Sequence, residues 1–94
     1  MINIKLYMDY KEVKELKENE ADCTIVVVED RGNGKCYSLD YETQEETGAA
    51  RLFCYERADG EQTDKNYTFD LFDDLCECCS NAEIVTKTLD YLGL

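Results

Sequence analysis

The sequence predicts an α+β fold: a three- to five-stranded, mostly antiparallel sheet with one N-terminal helix and two C-terminal helices. Three observations support this prediction. Apolar and polar residues alternate in several short segments, as in strands with one buried face. Turn residues separate these segments. The last quarter of the chain instead repeats its apolar residues at helical spacing. At 94 residues, positions 1–94 are expected to form a single α+β domain.

The N-terminal segment predicts a strand followed by a helix. Apolar residues occupy every second position from Ile2 to Met8, which is strand spacing, although a short helix is compatible with part of the pattern. Asp9 and Glu12 have the spacing of a capping box that uses aspartate in the leading position. A helix is therefore expected from residue 10 to about residue 19, ahead of a polar break at 18–22.

Two strands joined by a tight turn are expected next. Residues 23–29 (CTIVVVE) are rich in β-branched side chains and form the strongest strand signal in the chain. Residues 30–34 (DRGNG) combine glycine and asparagine, which tolerate the positive φ values of turns. Residues 36–41 then alternate, which places Leu39 and Tyr41 on one face of the strand and Asp40 on the other.

The sheet is expected to continue through the middle of the chain. An acidic loop (42–48) leads into a further antiparallel strand at 50–57, and Asp59-Gly60 predicts a turn. Tyr67, Phe69 and Leu71 alternate as in another strand.

Two helices are predicted at the C-terminal end. Asp70 is positioned to cap a short helix that contains Leu75, and Ser80 with Glu83 forms a second capping box. Gly93 is expected to end the last helix. The predicted core residues are Val26 or Val27, Leu39, Leu75, Leu89 and Leu92.

The composition excludes several kinds of site. The chain has no histidine, which excludes every Ser-His, Cys-His or His-metal arrangement, and it has no glycine-rich phosphate loop. We therefore expect no enzymatic activity and no cofactor. No apolar run approaches the roughly 20 residues of a membrane span, and the N-terminal residues lack the apolar core of a signal peptide. A cytoplasmic location is expected.

The six cysteines allow two interpretations. The segment Cys76-Glu77-Cys78-Cys79, together with one of Cys23, Cys36 or Cys54, could supply four thiolates to zinc, although only Cys76 and Cys79 have the usual spacing of a zinc-binding pair. The favoured interpretation is that reduced, metal-free cysteines fill the core as small apolar side chains, with Cys76 and Cys79 on one helical face. A zinc-stabilised interaction module is kept as an alternative.

The charge is large and unevenly distributed. The net charge is −12; residues 1–35 hold eight acids and six bases (net −2), and residues 36–94 hold fourteen acids and four bases (net −10). A field of this sign repels nucleic acids and anionic membranes and attracts basic surfaces. The expected partner is therefore a basic, nucleic-acid-binding protein, with no direct binding to nucleic acid or membrane.

Two groups of residues are candidates for contacting such a partner. The first lies on a strand and the loop after it: Asp40, Tyr41, Glu42, Glu45 and Glu46. The second has helical spacing: Asp70, Asp73, Asp74 and Glu77. A row of carboxylates on a rigid element can replace part of a phosphate backbone, and a tyrosine ring can stack on arginine. The alternative is that the acidic residues only keep the protein in solution.

In size, charge, lack of proline and order of elements, the chain resembles the small acidic anti-CRISPR proteins of phages and mobile elements. The shared order is an N-terminal helix, a meander that begins with CTIVVVEDRGNGKCYSL, and C-terminal helices. The resemblance implies a nucleic-acid mimic that inhibits a Cas9-type nuclease by blocking its DNA-binding groove. The main alternative is a structural or adaptor module that binds its partner through an apolar surface.

Overall fold

A computed structural model describes residues 2–16, 22–43, 50–58, 61–67 and 69–94; for residues 50, 58, 61–67, 69 and 70 it describes the backbone only. The described residues form five strands and three helices. In chain order these are β1 (Ile2–Leu6), α1 (Tyr10–Glu15), β2 (Cys23–Asp30), β3 (Lys35–Thr43), β4 (Ala50–Ala58), β5 (Glu61–Tyr67), α2 (Phe69–Glu77) and α3 (Asn81–Leu92). The predicted α+β fold, with one helix near the N-terminus and two at the C-terminus, is confirmed.

The five strands form a single antiparallel meander in which spatial order equals chain order, β1-β2-β3-β4-β5. Val26 pairs with Leu6 on one side and Leu39 on the other, so these three residues share one face of the sheet. All three helices pack on this core face. The core residues are Val13, Leu16, Ile25, Val26, Val28, Leu39, Tyr41, Leu52, Cys54, Leu71, Leu75, Cys78 and Ile84.

The opposite side of the sheet is called the open face below, because the three described helices pack on the other side. Side chains alternate along a strand, so the register assigns residues to this face directly. Its members on β1–β4 are Asn3, Lys5, Thr24, Val27, Glu29, Cys36, Ser38, Asp40, Glu42, Arg51, Phe53, Tyr55 and Arg57.

The predicted capping box at the start of α1 is confirmed. The Asp9 carboxylate accepts the backbone N–H groups of Lys11 and Glu12, both at 2.9 Å, and the Glu12 carboxylate accepts the Asp9 N–H at 3.3 Å. Val13 and Leu16 are buried. The helix extends over Tyr10–Glu15 with Leu16 as its C-cap, and residues 17–19 of the predicted helix lie outside the described residues.

Two predictions around α2 are wrong. Tyr67 ends β5, but Phe69 and Leu71 lie in α2, so they do not alternate in a strand. Asp70 lies inside the first turn of α2 and is not its cap; an acidic residue there suits the positive end of the helix dipole. The predicted turn at Asp59-Gly60 lies outside the described residues.

The cysteines after α2 also differ from the prediction. The helix ends at Glu77, so the helical spacing of Cys76 and Cys79 is interrupted. Cys78 is instead the buried residue, at 2% exposure, whereas Cys79 is exposed. All six cysteines are free of disulfide bonds.

Helix α3 closes the core. Ser80 is its N-cap and accepts the Glu83 N–H at 3.2 Å, while the Glu83 carboxylate accepts the N–H of Cys79 at 2.8 Å, one residue before the predicted partner. Gly93, at φ 74°, ends the helix as predicted. Of the predicted core, Val26, Leu39 and Leu75 are buried, and Leu89 and Leu92 pack against the core while partly exposed. None of the described helices is long and apolar enough to cross a membrane.

Candidate functional site

The first candidate group forms part of a shallow depression, here called the sheet pocket, at one end of β2 and β3. Its volume is 250 Å³, and its lining residues are Asp22, Cys23, Thr24, Asp40 and Glu42. The pocket lies where the β2–β3 register shifts between Thr24 and Val26. A bulge of this kind bends a strand and re-aims its side chains. Three carboxylates, those of Asp22, Asp40 and Glu42, therefore surround one small concave surface.

Each of these carboxylates already has a hydrogen-bond donor within the chain. Asp22 accepts the backbone N–H of Thr43 at 2.7 Å, and Asp40 accepts the Ser38 hydroxyl at 2.7 Å. Glu42 accepts the hydroxyl of Tyr55. Glu42 also lies directly opposite Arg51 of β4 on the open face, an arrangement that favours opposite charges. A partner's cation would have to compete with these internal contacts.

Cys23 lines the pocket as a protonated thiol. Burial raises its pKa above the ordinary value, and the negative charges of Asp40 and Asp22 raise it further. Its Sγ lies 3.6 Å from the sulfur of Met8. The acidic neighbours therefore disfavour the thiolate that zinc binding requires. In the described part of the chain, no group of three or more Cys, Asp or Glu side chains is placed to hold a metal ion.

The assignment of Tyr41 to the partner surface is wrong. Its neighbours Asp40 and Glu42 lie on the open face, so Tyr41 points to the core face, where it is only 3% exposed. Its ring packs against that of Phe72 of α2 in a tilted arrangement, with 5.2 Å between centroids. Burial raises the pKa of its hydroxyl. Tyr41 therefore joins the sheet to α2 and does not offer a flat surface to a partner's arginine.

The second candidate group lies on the outer side of α2. Asp73, Asp74 and Glu77 are all exposed and are called the acidic helix face below. Asp70 is in the same helix at i,i+3 and i,i+4 from Asp73 and Asp74, with only its backbone described. The helix contains no basic residue. Within the described residues, no hydrogen bond or ion pair occupies the carboxylates of Asp74 and Glu77.

The buried side of α2 holds this acidic face in place. Leu71 and Leu75 point into the core, where Leu75 is fully buried. The helix contacts α1, α3 and β4. A helix held on three sides presents its outer carboxylates in a fixed arrangement.

The two groups lie on opposite sides of the molecule. Asp40 and Glu42 are on the open face, whereas α2 covers the core face and directs Asp74 and Glu77 outward from it. One flat contact therefore cannot include both groups. Glu45 and Glu46 lie outside the described residues.

Sequence reasoning missed one carboxylate of the sheet pocket and one cross-strand neighbour of Glu42. Asp22 belongs to the predicted polar break at 18–22, but the pairing of Cys23 with Tyr41 brings Asp22 beside the end of β3. Arg51 was not connected with Glu42, although the β3–β4 register places them opposite each other. The hairpin pattern was the only signal for either residue, and it could identify them only once the register was known.

No protein-family model, curated protein sequence or solved structure matches this chain.

Proposed function

We propose that this protein is a non-enzymatic inhibitor that binds a basic, nucleic-acid-binding protein through the acidic helix face of α2. The observation that supports this proposal is the exposure of Asp73, Asp74 and Glu77 on a firmly packed helix that has no basic residue. Binding would place cationic side chains of the partner against these carboxylates. The same cationic side chains would then be blocked from nucleic acid.

The spacing of these carboxylates suits phosphate mimicry. A helix rises about 1.5 Å per residue, so Asp74 and Glu77 are separated by about 4.5 Å along the axis. Phosphates in one DNA strand rise about 3.4 Å per nucleotide. Asp70 extends the same helix by a further turn. The helix therefore presents negative charge at intervals of the same order as a nucleic-acid backbone.

The electrostatics favour the acidic helix face over the sheet pocket. Carboxylates that already accept an internal hydrogen bond gain less from a new cation, because the old contact must be broken or shared. This applies to Asp40 and Glu42. Asp74 and Glu77 sit in a helix without compensating lysine or arginine, where their mutual repulsion is relieved by a bound cation.

The resemblance to anti-CRISPR proteins supplies the specific form of the proposal. In that form, the partner is a Cas9-type nuclease loaded with guide RNA, in the cytoplasm of a cell infected by a phage or carrying a mobile element. The inhibitor would occupy the basic groove that binds duplex DNA. It would not cut, modify or bind the DNA itself.

A competition assay tests this proposal. A guide-loaded Cas9-type nuclease is mixed with a fluorescent target duplex, and displacement of the duplex by the protein is followed by anisotropy. We expect competitive displacement that weakens as salt is raised, because exposed charges are screened beyond about 8–10 Å near physiological ionic strength. The double variant Asp74→Lys/Glu77→Lys should lose at least about tenfold in affinity, or ~1.4 kcal/mol.

A matched control separates the acidic helix face from net charge. Glu15→Lys/Asp90→Lys makes the same change in charge at two other exposed positions and should bind like the wild type. Glu45→Lys/Glu46→Lys examines the acidic loop in the same assay. The proposal is refuted if Asp74→Lys/Glu77→Lys and Glu15→Lys/Asp90→Lys lose affinity equally. It is also refuted if DNA and the inhibitor bind the nuclease at the same time.

A second candidate function is an adaptor whose partner contact is apolar. The exposed apolar residues Tyr91 and Leu94 at the end of α3 favour this alternative. Such a contact would survive high salt and would tolerate all three pairs of charge reversals. The salt series in the competition assay therefore distinguishes the two functions.

A further inference from the structure

Among the described residues, strand β1 has one open edge, because it pairs with β2 alone, along five consecutive register pairs from Ile2 with Asp30 to Leu6 with Val26. Neither a proline nor a bulge interrupts β1, and both are devices that block pairing at sheet edges. The strand is therefore able to accept another strand.

One hydrogen bond shows which backbone groups of β1 point toward β2 and which point toward the open edge. Tyr7 donates its backbone N–H to the carbonyl of Ile25 on β2, at 2.8 Å. Backbone groups of successive strand residues point to alternate sides. The N–H and C=O groups of Ile2, Ile4 and Leu6 therefore point away from β2, toward the open edge.

We propose that the edge of β1 pairs with β1 of a second copy of this chain, antiparallel and centred on Ile4. Ile4 then lies opposite Ile4 of the second copy, and Ile2 lies opposite Leu6. All three positions in each copy have outward backbone groups, so the pairs are of the hydrogen-bonded kind. The two five-stranded sheets become one ten-stranded sheet.

The side chains of the strand complement themselves in this register. Ile2, Ile4 and Leu6 lie on the core face, and Ile2 is 39% exposed in the single chain. Pairing covers this residue with Leu6 of the second copy and joins the two apolar rows. A second copy of the chain therefore provides an apolar row that pairs with this one, and no other partner sequence is needed.

The polar face of the strand is also complementary. Asn3 of one copy lies opposite Lys5 of the other, and Asn3 is next to Glu29 in the register of β1 and β2. Lys5 of the second copy therefore lies on the same face as Glu29 of the first copy, with only Asn3 of β1 between them. A depression of 390 Å³, lined by Asn3, Ile4, Lys5, Tyr7, Val27 and Glu29, lies beside this edge and provides room for the incoming side chain.

The distribution of charge favours this edge over other surfaces for the association of two copies. Two copies of net charge −12 repel each other, and the repulsion is smallest where the least acidic segments meet. Residues 1–35 contain eight acids and six bases, against fourteen and four in residues 36–94. Association through β1 also leaves the acidic helix face of α2 exposed in both copies.

Sedimentation velocity on the full chain tests the proposal. Over about 1 μM to about 1 mM, the mass should shift from the 10.9 kDa of one chain toward twice that value. Raising the salt from about 50 mM to about 500 mM should strengthen the association, because salt screens the repulsion between the copies. This salt response is opposite in sign to that of the proposed inhibitor complex, so the two proposals can fail separately. A monomer at every concentration and salt refutes self-pairing.

Two variants locate the contact. Ile4→Pro removes an N–H that points away from β2, so β1 keeps its pairing with β2 and dimerisation should be lost. Ile2→Lys places a charge at the exposed end of the strand and should weaken association at least about tenfold without relying on proline. Circular dichroism checks that both variants stay folded.

Tyr91→Lys changes another exposed apolar residue, on α3, and should dimerise like the wild type. Dimerisation that survives Ile2→Lys, or that is lost equally in Tyr91→Lys, overturns the assignment to β1.

Discussion

The two acidic regions of this protein contain the same kind of side chain in different structural situations. In the sheet pocket, Asp40 and Glu42 accept hydrogen bonds from Ser38 and Tyr55, and Arg51 lies opposite Glu42. On the acidic helix face, Asp74 and Glu77 project from a helix without a basic residue. The first set is tied into the fold, whereas the second is turned toward solvent.

The comparison shows that negative charge alone does not identify a binding surface. A carboxylate with an internal donor contributes to the stability of the folded chain, and replacing it leaves that donor without a partner. A carboxylate on an exposed helix surface contributes little to folding. Each substitution should therefore be measured twice, once for its effect on the free energy of unfolding and once for its effect on the affinity for the partner.

The largest expected effect concerns the support of the acidic helix face. Leu75 is fully buried on the inner side of α2, so Leu75→Ala should lower the free energy of unfolding by about 2–5 kcal/mol. Leu89→Ala should cost less, since Leu89 is only partly buried. Urea unfolding of both variants measures the difference. Equal costs would contradict the difference in burial between Leu75 and Leu89.

A smaller effect separates the two acidic regions directly. Asp40→Lys/Glu42→Lys removes two internal hydrogen bonds and should lower the free energy of unfolding by about 1–3 kcal/mol. Asp74→Lys/Glu77→Lys should stay within about 0.5 kcal/mol of the wild type. The two variants carry the same change in charge, so denaturant midpoints compare position alone. If both pairs cost the same, the distinction between the regions is lost.

The smallest effect concerns Tyr41, which lies between Asp40 and Glu42 but points into the core. Burial raises its pKa in the folded chain, so folding favours the protonated ring. Its contribution to stability is complete below pH of about 10, the unfolded value, and falls as the pH rises through the higher folded pKa.

This effect can be isolated by substitution. Tyr41→Phe should lose less stability than the wild type between neutral and strongly alkaline pH, as measured by thermal unfolding. Cys23, Cys36 and Cys78 also have pKa values raised by burial and remain in the variant, so part of the alkaline loss should persist. Tyr7→Phe at an exposed position is the control. Identical alkaline profiles for Tyr41→Phe and the wild type would contradict the burial of this hydroxyl.

Local patterns predicted the elements that depend on neighbouring residues. The capping box of Asp9 and Glu12, the β2–β3 hairpin and the terminating Gly93 follow from interactions within a few positions. Alternation in residues 36–41 also placed Asp40 and Tyr41 on opposite faces, although Tyr41 was still assigned to the partner surface. The prediction of the boundary between β5 and α2 was wrong, because the apolar residues at 67, 69 and 71 fit the period of a strand as well as they fit the start of a helix.

The sequence by itself determined the acidic charge, the fold class and the helical spacing of Asp73, Asp74 and Glu77, because these depend on composition and short-range periodicity. Only the tertiary structure decided that Tyr41 is buried under α2, that Asp22 joins Asp40 and Glu42 in one pocket, and that the two acidic groups face opposite ways. The physical reason is register. A strand places each side chain by its pairing with distant residues, and the position of a helix on the sheet depends on which faces are left to bury.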